Sequence, residues 1–146
     1  MFRTPSQTKV NGVDLFADCN KDELRQLEPL LTPIRVTAGT PLIRQGAPAN
    51  EFVILLDGHA QVTRQVGDTE ITVADLGPGS FVGEMGLLHR TPRSATVTAV
   101  SDGTVLVSST AEFRQLVTVA PAVAQRIADT AVIRAANNEA HKALAA

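Results

Sequence analysis

Phe52-Val53-Ile54-Leu55-Leu56-Asp57-Gly58-His59-Ala60-Gln61-Val62-Thr63-Arg64-Gln65-Val66 is the stretch on which the fold class turns. An unbroken apolar run, Phe52–Leu56, meets Asp57-Gly58, and a second β-prone run, Ala60–Val66, follows. Asp and Gly both tolerate positive φ, so the stretch reads as strand, tight turn, strand: a hairpin. Asp102-Gly103 repeats the pattern between Ala95–Val100 and Thr104–Val107. Further breaks fall at Ala38-Gly39, Gln45-Gly46, Val66-Gly67-Asp68 and Gly77-Pro78-Gly79. Short runs at this spacing predict about eight strands closed into an antiparallel, jelly-roll-like β roll.

Outside that region the period of the apolar residues becomes helical. Asn20 with Glu23 forms a cap pair before Leu24, Leu27, Leu30 and Leu31, which predicts a helix over 20–31 closed by Pro33. Thr110 is expected to cap a short helix carrying Phe113, Leu116 and Val117. A longer helix is expected from Pro121, a favoured first-turn residue, with Val123, Ile127 and Ala131 in one line and Ala124 and Ala128 beside it. The fold class is therefore α+β: a β roll with an N-terminal helix and C-terminal helices. Residues 1–13 read as a flexible leader, 14–136 as the domain, and 137–146, from Asn137-Asn138 onward, as a fraying helix end.

The 146 residues, 44% of them hydrophobic and 19% charged, suffice for one globular core without disulfides or metal. The net charge of −2 is spread over interspersed signs, with none of the basic striping of a nucleic-acid binder. A small anionic ligand would need a local positive pocket. Neither a signal-peptide pattern nor an apolar run long enough to span a membrane is present, so a cytoplasmic, membrane-free protein is expected. Cys19 stands alone and fits that setting. His59, His89 and His141 are too scattered for a metal set, and Ser94 has no neighbouring histidine base. No metal, no cofactor and no catalysis are expected.

The chemistry concentrates in residues 79–97: Gly79-Ser80-Phe81-Val82-Gly83-Glu84-Met85-Gly86-Leu87-Leu88-His89-Arg90-Thr91-Pro92-Arg93-Ser94-Ala95-Thr96-Val97. Phe81–Leu88 is too short and too glycine-rich for another strand, and reads as a strand end entering about one turn of helix. The first-turn amides of such a helix, beside Gly83 and Gly86, form a nest for an anion. Arg93 alternates with Ala95, Val97 and Ala99, so it points inward, where a phosphate would pair its fork. Glu84 is out of place beside a bare anion but accepts from sugar hydroxyls. Anion donors with one carboxylate describe a phosphorylated sugar.

This segment resembles the phosphate-binding cassette of the cyclic nucleotide-binding domain family, which includes the catabolite activator protein and the regulatory subunits of cyclic-AMP-dependent kinase. The resemblance runs from about Leu15 to Arg134 and rests on Gly83-Glu84, the spacing, and Pro92-Arg93-Ser94-Ala95-Thr96-Val97 taken together. It implies that Gly83, Met85 and Gly86 lie along the phosphate and ribose, that Glu84 takes the ribose 2′-hydroxyl, and that Arg93 and Ser94 hold the cyclic phosphate. Base contacts would come from the last helix, where no aromatic stands; Arg126, Thr130 and Arg134 are the candidates. Serine rather than threonine after the cassette arginine implies cyclic AMP ahead of cyclic GMP. The expected function is a regulatory binding module that signals by movement of its C-terminal helices. The signal is expected to pass to a separate effector protein, to a second copy, or to a further segment of a longer chain, with Met1 a mild sign that the chain is complete. The alternative is an interaction or scaffold protein on the same fold that binds no nucleotide.

Overall fold

The structure, a computed structural model, describes residue 10 and residues 12–145. Most of the expected leader lies outside the described residues, but Val10 and Val13 at its end are buried in the core. A single 3₁₀ turn, Asp14–Phe16, leads to helix α1, Lys21–Leu27. Its capping box is present: the Asn20 side chain accepts from the Glu23 amide at 2.8 Å, and Glu23 Oε1 accepts from the Asn20 amide at 2.9 Å. The helix stops short of the predicted boundary. Glu28–Leu30 is a 3₁₀ turn containing Pro29, and Pro33 lies inside the first strand rather than ending the helix.

Eight strands follow: β1 Thr32–Val36, β2 Pro41–Ile43, β3 Glu51–Asp57, β4 Ala60–Val66, β5 Thr69–Leu76, β6 Phe81–Val82, β7 Thr96–Ala99 and β8 Gly103–Ser109. They form two antiparallel sheets, ordered β1-β8-β3-β6 and β2-β7-β4-β5. Neither Asp-Gly pair closes a hairpin. β3 and β4 belong to different sheets, and so do β7 and β8, so each pair turns a corner where the chain crosses the roll. The corners meet: a Cβ on Gly103 would stand 2.5 Å from the Asp57 carbonyl oxygen, and one on Gly58 2.9 Å from that of Asp102. Their carboxylates lock the junction, Asp57 accepting from the Thr104 amide at 2.6 Å and Asp102 from the Ala38 amide at 2.9 Å. A two-residue hairpin does join β4 to β5, at Gly67-Asp68, with Val66 opposite Thr69.

The apolar run of β3 is explained by burial on both faces. Val53 and Leu55 point between the sheets, with Ile43, Ala60, Val82, Val97 and Val105. Phe52 and Ile54 point the other way, into a core shared with Leu27, Leu106, Phe113, Leu116, Val123 and Ile127. The Phe52 ring lies 5.0 Å from that of Phe113 and 5.6 Å from that of Phe81.

Helix α2 spans Glu84–His89, α3 Thr110–Val119 and α4 Pro121–Ala145. The cap of α3 is Ser109, not Thr110: its hydroxyl accepts from the Glu112 amide, and Glu112 Oε1 accepts from the Ser109 amide at 2.9 Å. Around Ala120 and Pro121 the chain bends by 117° into α4. Val123, Ile127 and Ala131 are buried, as their spacing predicted, while Ala128 is exposed. Past Ala131 the helix leaves the core, with Val132 70% and Ile133 63% exposed, and it continues through Asn137-Asn138. No single helix among the described residues is long and apolar enough to cross a membrane.

Candidate ligand-binding cavity

The antiparallel pairing of β6 with β3 brings residue 83 alongside the start of β3, and the chain there must turn sharply into α2. Gly83 makes the turn at φ 96°, a conformation that suits glycine. Space demands the same residue. A Cβ at Gly83 would sit 2.7 Å from the Glu51 carbonyl oxygen and 2.9 Å from Arg93 Nη1. At Gly86 a Cβ would meet that of Ala49 at 2.5 Å. Both glycines are therefore required by packing around Arg93, beyond leaving a ligand room.

Arg93 is buried on the same face as Ala95, Val97 and Ala99, though β7 begins only at Thr96. Its backbone is held by the loop before β3: the Arg93 amide donates to the Ala47 carbonyl at 2.9 Å, and its carbonyl accepts from the Gly46 amide at 2.8 Å. The guanidinium is not stranded. Nη1 donates to the Gly83 carbonyl at 2.8 Å and Nη2 to the Glu51 carbonyl. The sequence reading left this arginine to a ligand for pairing; the fold supplies two carbonyls and leaves further N–H groups on the fork.

Glu84 is 1% exposed. Its Oε1 accepts from Arg134 Nη1 at 2.6 Å, whereas Oε2 has no hydrogen-bond partner among the described residues. Burial pushes its carboxyl above the usual glutamate range, opposed by the charges of Arg134 and Arg93 and by hydrogen bonds from Arg134 and the backbone. Arg134 also donates from Nη2 to the Phe81 carbonyl at 2.8 Å and lies 5.2 Å from the Phe81 ring centroid. Burial lowers the basicity of Arg93, with Glu51 and Glu84 opposing, yet a guanidinium stays charged.

These groups line one cavity of about 270 Å³ between the second sheet, α2 and the outer part of α4. Gly83, Glu84, Met85, Gly86, Arg93 and Ser94 all border it, Ser94 from an exposed position. Thr130 and Arg134 reach it from α4. Arg126 does not: it is bound to the Asp14 carbonyl at 2.7 Å and the Asp18 carboxylate at 2.8 Å. Two turns of helix, about 12 Å, separate it from Arg134.

Sequence reasoning missed Arg64, which is buried in the same wall. Its Nε donates to the Ser94 carbonyl at 2.9 Å and its Nη2 to Asn138 Oδ1 of α4. Burial lowers its basicity too. The signal was present in the strand: Arg64 alternates with Ala60 and Val62, and both belong to the inner face. The cavity wall thus carries three guanidiniums and one carboxylate, an excess of positive charge in a low-dielectric site.

Comparison with known proteins agrees with this geometry. The model of the cyclic nucleotide-binding domain matches residues 33–119. A cyclic nucleotide-gated potassium channel of Mesorhizobium japonicum is 31% identical over 125 residues, covering 86% of this chain and 34% of that protein. The catabolite activator protein of Thermus thermophilus superposes with a TM-score of 0.77 at 27% identity, covering 89% of this chain and 62% of the other. A cAMP-binding acyltransferase of Mycobacterium smegmatis gives 0.65 at 32% identity, over 75% of this chain and 34% of the other. The chain spans about a third of the length of that channel and that acyltransferase, and related domains occur in regulators, channels and enzymes. With the two-sheet roll, the inward Arg93 and the Gly83-Glu84 turn all in place, the chain belongs to the cyclic nucleotide-binding domain family.

Proposed function

We propose that this protein binds cyclic AMP in the cavity between α2 and α4 and acts as a cytoplasmic regulatory module without catalysis of its own. Glu84 carries the reading: a buried carboxylate with one unmet acceptor, in a cavity whose other charged lining residues, Arg64, Arg93 and Arg134, are all guanidiniums. An unmet buried acceptor is costly, and a sugar hydroxyl would satisfy it. Arg93 and Ser94 take the cyclic phosphate, and Gly83, Met85 and Gly86 border the ribose. Thr130 and Arg134 stand on the helix that covers the site. The preference for cyclic AMP over cyclic GMP draws support from Ser94 and from the cAMP-binding acyltransferase among the relatives.

Output runs through α4. Its first turns hold to the core by Val123, Ile127 and Ala131, while its outer part is held by polar contacts from Arg134 and Asn138. Such contacts are exchanged more readily than buried apolar area, so the ligand shifts the outer helix between docked positions. The signal passes to a separate effector protein, a second copy of the chain, or a further segment of a longer protein.

Calorimetric titration of exhaustively dialysed protein tests the ligand. Binding at about 1 µM or tighter is expected for cyclic AMP, with cyclic GMP weaker. The second reading, a scaffold that binds no nucleotide, is favoured by the Arg134–Glu84 contact, which already occupies half of the carboxylate. Absence of heat from both nucleotides at about 1 mM would establish it.

A further inference from the structure

Glu84 lies at the first position of α2, but the side chain that hydrogen-bonds it comes from α4, fifty residues later. Arg134 divides its guanidinium. Nη1 goes to Glu84 Oε1 and Nη2 to the Phe81 carbonyl, so it grips both sides of the Gly83 turn at once. The Phe81 ring supports it from a third direction. Arg93 is close, yet its described hydrogen bonds go to the Gly83 and Glu51 carbonyls and not to Glu84. The orientation of the carboxylate, with Oε1 engaged and Oε2 buried but unpartnered, is thus tied to α4.

We propose that Arg134 is a positioning residue for sugar recognition: by holding Glu84 Oε1 it presents Oε2 to a ligand hydroxyl, so that the docked position of α4 and selection for a 2′-hydroxyl are one event. This rests on the cyclic nucleotide reading and replaces the base-contact role expected of Arg134 from sequence. Without the arginine a buried carboxylate lacks its nearest cation, and is free to rotate or turn away. A hydroxyl donated to Oε2 gains most when the carboxylate is already fixed and charged. The coupling is reciprocal: a ligand with the hydroxyl tightens α4 over the cavity, and one without it does so less.

The test is a calorimetric cycle of wild type, Arg134→Met and Arg134→Lys against cyclic AMP and 2′-deoxy cyclic AMP. Methionine keeps an aliphatic stem over Phe81 and removes the charge, while lysine restores it. Wild type is expected to prefer cyclic AMP by about tenfold or more, the size of a hydrogen bond to a charged group. Arg134→Met should lose about tenfold for cyclic AMP and less than about twofold for the deoxy ligand, and Arg134→Lys should recover most of the loss. The deoxy ligand reports that each variant is folded with an intact phosphate site. Equal losses for the two ligands, or none, would overturn the assignment while leaving the ligand reading standing. Failure of wild type to bind either cyclic AMP or cyclic GMP would overturn both.

Discussion

Gly83 and Arg93 compete for the same few ångströms: a Cβ at position 83 would stand 2.9 Å from Arg93 Nη1, whose hydrogen bond goes to the Gly83 carbonyl itself at 2.8 Å. Turn, helix start and inward arginine therefore form one unit. Gly83→Ala combines a left-handed φ with a backbone clash at Glu51, and is expected to cost about 1–3 kcal/mol. Urea denaturation measures it, and an unchanged midpoint would mean the turn relaxes freely.

Arg93→Ala should lower stability even without ligand, because the Gly83 and Glu51 carbonyls lose their donors in a buried site. The expected loss is about 1–3 kcal/mol in ligand-free denaturation. Affinity for cyclic AMP should fall by a further 2–5 kcal/mol or about that, as half of a desolvated charge pair is removed. A variant with full ligand-free stability would show that the two carbonyl contacts contribute nothing in solution.

The pH dependence of stability isolates Glu84. Its carboxyl is raised in the folded protein, burial outweighing Arg134 on α4 and Arg93 before β7. The folded state thus holds the proton to higher pH than the unfolded state does. Stability from this group is fully present below the unfolded glutamate value and is lost as pH rises through the raised folded value. Wild type compared with Glu84→Gln should lose relative stability across that window from acid toward neutral. A difference that grows in favour of wild type with rising pH would mean that the two arginines outweigh burial.

The parts of the fold set by local chemistry were readable. The Phe52–Leu56 run, the Asn20–Glu23 box and the Val123–Ile127–Ala131 stripe each depend on neighbours within a few positions, and each appears in the structure. The Ser109–Glu112 box had the right spacing, but Thr110 offered an adjacent hydroxyl and drew the reading one residue late. The Asp57-Gly58 and Asp102-Gly103 turns show a different limit. Their backbone demands were legible, while strand pairing depends on which sheet the next run joins, and that is decided by residues far away. In the cavity, Arg93 and Glu84 stood inside one short segment. Arg64 and Asn138 are seventy-four residues apart and meet only because β4 and α4 close over the same space. Arg126, Thr130 and Arg134 follow one another at helical spacing, and spacing alone does not mark where along that line the cavity wall begins.

Amide hydrogen exchange with and without saturating cyclic AMP tests the central claim, that the ligand sits beside α2 and is read out by α4. The account predicts slower exchange in residues 83–96, an altered rate in residues 121–136, and little change in residues 52–57, whose strand is buried on both faces. Protection of 83–96 with no response from 121–136 would contradict the lid and leave a nucleotide buffer. No change in 83–96 at saturation would contradict the site itself.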